Sequence, residues 1–241
     1  MCFGPGRGGA HYNSVMTHDA GREQLAGDLS QVDHATMRLR ASIAPLSDVE
    51  VQLPSLLPGW TIGHCLTHIA RNADGIDNLV QWALTDVRTS MYPSMESRDA
   101  DIGRGANRSA DVLRDDIASS AERLATAMGA LADADSDALQ RLVIFGAPPP
   151  STPPNTPAHE LGFARWREVT IHHADLGLAD FSYGDFDNTF VARTLAFIEA
   201  RSGTVSVTGP AVDVLTWRLG RGTPSSVLDE YGNPPGVPPA W

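Results

Sequence analysis

Lysine is absent from this chain of 241 residues, so all 18 of its basic residues are arginines. Arg codons are GC-rich and Lys codons are not, and the absence reads as coding bias in a GC-rich genome rather than as chemistry. Against the arginines stand 29 acidic residues, for a formal net charge of −11 at pH 7. Such a surface steers neither nucleic acid nor an anionic membrane toward itself. Cysteine is nearly as scarce: Cys2 and Cys65 cannot build a disulfide framework, and neither has the spacing of a redox or zinc pair. A thiol needed for chemistry would have to be borrowed. Long apolar runs are missing too, none approaching the roughly 18 residues of a membrane span. The Gly-rich start, 1–15, lacks the apolar centre of a signal peptide, so the expected compartment is the cytoplasm. What is present is a hydrophobic fraction of 42%, that of a globular protein. The length suits one large domain, or a main domain with a small one.

Residues 1–18 read as a disordered lead-in. From about 22 to 44 the apolar positions Leu25, Leu29, Val32, Met37, Leu39 and Ile43 recur at roughly helical spacing, ended by Pro45. After the turn-rich stretch 53–59, Thr61 can cap a second helix running to about Leu84. The stretch 91–102 mixes aromatic, charged and Pro residues and reads as an irregular loop. A third helix is expected over about 106–132, with Val112, Ile117, Leu124, Met128 and Leu131 toward the core. The apolar run 142–145 is strand or turn, and 146–155 is too Pro-rich for regular structure. Thr156 followed by Pro157 predicts a cap and first position for a fourth helix, about 157–176, stopped by Gly177. Beyond it, a helix near 188–200, a strand at 204–208, a helix after Gly209-Pro210 and a Pro-rich tail predict a small α/β domain. The fold class is mainly α, with a four-helix bundle over 19–180 and the small C-terminal domain over 181–241.

The fourth helix carries the densest chemistry. Glu168 and His172 stand at i and i+4, on one face and a turn apart, close enough for a carboxylate oxygen and an imidazole nitrogen to share a metal. A third ligand must come from elsewhere, and the other imidazole-rich helical stretch holds His64 and His68. Two histidines, one glutamate and one open position make a catalytic zinc site, since a structural site is closed and richer in cysteine. Taken singly, each pair has a plainer reading, as an exposed ion pair or as buried imidazoles satisfied by backbone carbonyls. Together, on helices of one bundle, they weigh toward metal, because bundles build such sites from facing side chains.

The phrases Leu57-Pro58-Gly59-Trp60-Thr61-Ile62-Gly63-His64 with His68-Ile69-Ala70-Arg71-Asn72-Ala73-Asp74, Arg167-Glu168 with His172-His173-Ala174-Asp175-Leu176-Gly177, and Val207-Thr208-Gly209-Pro210 with Trp217-Arg218-Leu219-Gly220-Arg221-Gly222 resemble those of mycothiol-dependent maleylpyruvate isomerases. The resemblance covers nearly everything from about Arg22 onward. It implies a DinB-like four-helix metal domain followed by a small α/β domain, with zinc and mycothiol as cofactors. Carried over residue by residue, it puts the zinc ligands on His68, Glu168 and His172. It also implies a catalytic arginine in the small domain, Arg221 with Arg218 as the second candidate, and a pocket-lining loop holding Tyr92 and Arg98. The plain alternatives are an arginine closing the last turn of a helix beside Gly220 and Gly222, and a solvated connector. His64 either supports a ligand or packs in the core; His173 is structural. Cys65 is expected to pack, since its thiolate would close the open position. Between Gly177 and Gly209 the chain looks shorter than typical members, which predicts a shortened small domain.

The chemistry implied is covalent catalysis by a borrowed nucleophile. Zinc held by two neutral imidazoles and one carboxylate keeps a positive charge, so a thiol entering the open position loses its proton near neutral pH. The thiolate adds to the cis double bond of maleylpyruvate, the resulting single bond rotates, and elimination returns the thiol with fumarylpyruvate, as in gentisate-type aromatic degradation. The expected partners are that small substrate and a low-molecular-weight thiol, with the chain a monomer or dimer. Two rivals remain: a mycothiol S-transferase acting on another electrophile, and a metal-stabilised binding protein without turnover.

Overall fold

The computed structural model describes residues 9–149 and 151–239, with side chains from Ala20 onward. Helix α1, Gly9–Ile43, starts inside the stretch read as lead-in, since no proline interrupts the chain between Pro5 and Pro45; the lead-in expected over 1–8 lies outside the described residues. Helix α2, Ile62–Thr85, begins where the sequence predicts. Thr61 accepts from the His64 backbone N–H, and its own N–H donates to His64 Nδ1 at 3.2 Å, a reciprocal cap on the first turn. Gly63 is required here, because a Cβ would lie 2.2 Å from the Ala106 carbonyl oxygen.

The stretch 91–102 is not an irregular loop throughout. Helix α3 spans Met95–Gly105, and Ser94 caps it by accepting from the Ser97 N–H at 3.0 Å. The expected third helix is therefore split: α3 ends at Gly105, and α4, Ala110–Asp133, starts after a Ser109 cap. Leu113 rather than Val112 faces the core, and Val112 is exposed. After the short α5, Ser136–Gln140, strands β1, Leu142–Val143, and β2, Thr156–Pro157, pair antiparallel with Val143 opposite Thr156. Thr156 is thus spent on the ribbon and caps no helix. The chain passes through a 3-10 turn, Ala158–Glu160, and α6 runs over Leu161–Asp175, with Gly177 at φ +70° beyond its end.

The bundle is a ring in which α1 packs on α4 and α6, and α2 packs on the same two from the opposite side. Leu39, Ile43, Leu66, Ile69, Ile117 and Val169 fill one half of its core, and Leu25, Ile76, Leu79, Met128 and Leu161 the other. The C-terminal part holds α7, Asn188–Ser202, capped by Asp187; β3, Val207–Thr208; α8, Ala211–Arg218; and β4, Leu228–Asp229, antiparallel to β3. It is the small α/β piece expected, with a shorter strand. Trp166 of α6 meets Phe190 edge-on at 5.2 Å, and Phe190 meets Phe186 at 5.1 Å. One apolar cluster therefore joins α6 to both parts, which buries α6 on nearly every side and fixes the helix that carries the chemistry. Among the described residues no helix is long and apolar enough to cross a membrane.

Candidate functional site

Where α2 faces α6, one side chain of α2 meets two of α6. His68 Nε2 lies 3.1 Å from Glu168 Oε2, and His172 Nε2 lies 3.7 Å from the same oxygen. The two imidazoles meet edge-on, 4.4 Å between ring centres. One ligand atom from each of the three residues falls within 4.8 Å of the others, the group of that kind found among the described residues. Donors in a tetrahedron about 2.0–2.1 Å from a zinc ion sit roughly 3.3 Å apart. The donor set and its spacing both fit such an ion. His68 is 5% exposed while Glu168 keeps 30% of its side chain in reach of solvent, so the cluster is closed on the bundle side and open on the other.

The protonation states also suit a metal. Burial works against the charge of Glu168, but the hydrogen bond from His68 and the charges of His68, His172 and Arg167 outweigh it and hold the carboxyl at about 2. Burial, helped by His172, pushes His68 down to about 4. A carboxylate beside a neutral imidazole is the form in which these groups bind a cation.

Each imidazole is held from behind. His172 Nδ1 lies 2.8 Å from Asp175 Oδ2, and Asp175 is completely buried. That carboxylate also accepts from Arg221 Nε and NH2, both at 2.9 Å, and from the Tyr183 hydroxyl at 2.6 Å. Burial alone would raise the Asp175 pKa; the bonds from His172 and Arg221 take it far below the usual carboxylate range. An ionised carboxylate only accepts, so Nδ1 of His172 carries the proton and Nε2 offers its lone pair toward Glu168. His68 is held differently. Arg98 NH2 lies 3.1 Å from its Nδ1, and a guanidinium only donates, so the proton of the neutral ring is on Nε2, facing Glu168. A metal at Nε2 requires that proton to move to Nδ1 and Arg98 to release it.

The remaining residues singled out in the sequence divide clearly. Tyr92 is buried beneath Arg98, whose guanidinium carbon stands 5.9 Å from the ring centre, so both flank the ligands. Arg221 reaches the site through Asp175, and its NH1 also donates to the Leu219 carbonyl at 2.9 Å, so it closes the end of α8 as well. Arg218 is elsewhere: buried in α8, it donates to Ser202 Oγ and the Gly203 carbonyl and ties α8 to the end of α7. His64 caps α2 and stacks on Trp60, 6.1 Å between ring centres. His173 lies 2.8 Å from Ser42 Oγ and stacks on Phe181, a structural placement. Cys65 is buried, and burial pushes its thiol up to about 12, which removes it as a nucleophile.

The sequence reading gave no role to Asp175 or Tyr183. Asp175, three residues after His172, carried a usable signal in that spacing; Tyr183 reaches Asp175 only because the chain folds back after Gly177.

Comparison with known proteins agrees with the architecture. No curated protein sequence matches the chain. Among solved structures, a mycothiol-dependent maleylpyruvate isomerase superposes with a TM-score of 0.77 at 27% identity, covering 90% of this chain and 97% of that one. A histidine-to-alanine mutant of such an enzyme matches equally well, at 26% identity. Residues 32–177, the span that contains the whole His-Glu-His cluster, match the model of the mycothiol maleylpyruvate isomerase N-terminal domain, and the chain belongs to that family.

Proposed function

We propose that this chain is a zinc- and mycothiol-dependent isomerase that converts maleylpyruvate to fumarylpyruvate in the cytoplasm. The observation that carries the reading is the convergence of His68, Glu168 and His172 on one open-sided point in a chain of this family. A divalent ion there would supply the positive charge that lowers the pKa of an entering thiol into the neutral range.

The chain's own residues do the rest. Glu168 stays ionised and His68 neutral at pH 7, so neither releases a net proton to serve as a ligand, the His68 proton only moving from Nε2 to Nδ1. Asp175, braced by Arg221 and Tyr183, keeps the His172 proton on Nδ1 and the ring fixed. Arg221 is on this reading a positioning residue, acting through Asp175. Tyr92 and Arg98 wall the site from the α3 side, and Arg98, once released from His68, has donors for a carboxylate. Cis–trans isomerisation across a double bond needs a nucleophile that adds and leaves, and Cys65, buried and protonated, cannot be it. On this reading the nucleophile is a soluble thiol, in keeping with the mycothiol dependence of the enzymes the chain resembles.

The test follows maleylpyruvate loss in purified zinc-loaded protein while mycothiol is titrated below the substrate concentration. Formation of the trans product with the thiol returned is expected. Consumption of thiol one for one, with no trans product, would replace isomerisation by S-transfer. Metal analysis of His68→Ala and Glu168→Ala accompanies it, and wild-type metal content in both would reject the site.

A further inference from the structure

Glu168 has a second neighbourhood. Between α6, α7 and the β1–β2 ribbon lies a pocket of about 200 Å³ whose walls include Glu160, Phe163, Arg167, Glu168, Phe197 and Arg201. The guanidinium carbon of Arg167 stands 3.4 Å from the centre of the Phe197 ring and that of Arg201 stands 3.7 Å from it. Two guanidinium groups at those heights cannot share one face, so the ring lies between them. Arg167 also leans on Phe163, at 5.0 Å.

These two arginines share one aromatic ring and, among the described residues, neither has an acid as ion-pair partner. Arg71, Arg98, Arg108, Arg193 and Arg221 each pair with an aspartate. Among the described residues Arg167 and Arg201 have no ion pair, and Arg167 Nε is buried without a hydrogen-bond partner. Stacking on Phe197 holds both forks in place before any ligand arrives, which reduces the entropy lost on binding.

We propose that this pocket is the carboxylate subsite of the active centre, in which Arg167 and Arg201 hold one carboxylate of a small dianionic substrate beside Glu168. The inference rests on the reading of the site as a metal centre. Once a divalent ion takes up the charge of Glu168, Glu160 is the acid left to oppose the two arginines, and the pocket becomes cationic. Its volume suits one end of a small acid rather than a glycosylated thiol. The arginines thus set specificity for anionic electrophiles, and the route from subsite to ligands runs along a single turn of α6.

The probe is maleate, titrated calorimetrically into zinc-loaded full-length protein with no thiol present. Arg201→Met removes an exposed side chain at the end of α7 and tests the subsite even if Arg167→Met fails to fold. Each variant is expected to weaken maleate at least tenfold with zinc content unchanged, and Arg201→Lys to recover part of the loss. The uncharged analogue maleamide should bind wild type and variants alike. Maleate affinity in Arg201→Met within twofold of wild type would overturn the proposal, because the anion would then be held at the metal alone. So would an equal loss for maleamide, which would mean that shape and not charge was removed. Neither arm involves turnover, so a protein that binds maleate through these arginines but forms no fumarylpyruvate refutes the isomerase reading and leaves the subsite standing.

Discussion

Replacing Asp175 by Asn separates what braces the protein from what orients a ligand. The carboxylate accepts from His172 Nδ1, from two nitrogens of Arg221 and from the Tyr183 hydroxyl, and none of it is exposed. An amide of the same shape has one accepting oxygen, and its NH2 faces donors that it cannot satisfy. Removing one partner of a buried pair costs about 3–5 kcal/mol. The Arg221 side chain is 22% exposed and recovers some hydration, so the lower end, about 3 kcal/mol, is expected. Loss of the group that orients a ligating histidine weakens metal about 10- to 100-fold. Urea unfolding of metal-free protein measures the first effect, and chelator competition for zinc the second. The folded pKa of Asp175 is depressed below its unfolded value of roughly 3.9, so its contribution is fully present above that pH and fades as pH falls through the folded value. The gap between wild type and Asp175→Asn should therefore be constant from pH 6 to 8 and narrow in acid. Zinc affinity unchanged within threefold, with stability lost, would show that Asp175 only braces the fold and would refute the orienting role. No loss of stability would refute the energetic argument as well.

Two more outcomes follow from the burial of single groups. Cys65→Ala should keep metal and activity and lose about 1 kcal/mol of stability to the small cavity; loss of metal would place the sulfur among the ligands. His173 is pushed by burial down to about 4 against roughly 6.5 in the unfolded chain, so between those values only the unfolded state takes up its proton. Metal-free protein should lose up to about 3 kcal/mol through His173 as pH falls from 6.5 to 4. His173→Gln should flatten urea midpoints over that window, and an unchanged slope would assign the titration elsewhere.

The sequence by itself determined the features that depend on neighbours a turn or less apart. The i, i+4 pair Glu168 and His172, the Thr61 cap, the apolar stripes of α1, α2 and α4 and the stop at Gly177 are all local, and each is where its spacing says except at Met37 and Val112, which are exposed. Helix α3 escaped that reading because a half-exposed helix over the side of α2 needs only a short apolar edge, and Tyr92-Pro93 just before it reads as a breaker. Thr156 escaped because a cap and an extended pairing use the same residue, and Val143, 13 positions away, chose between them. Only the tertiary structure decided what stands behind the ligands. Asp175 meets Arg221 across 46 positions of sequence, Arg98 meets His68 across 30, and Arg167 of α6 meets the Phe197 ring of α7. No periodicity records such contacts. The Arg98 contact comes from α3 packing on α2, and the other two from burial of the aromatic cluster around Phe190, which holds the C-terminal helices on α6 and puts Arg221 behind Asp175 and Phe197 beside Arg167.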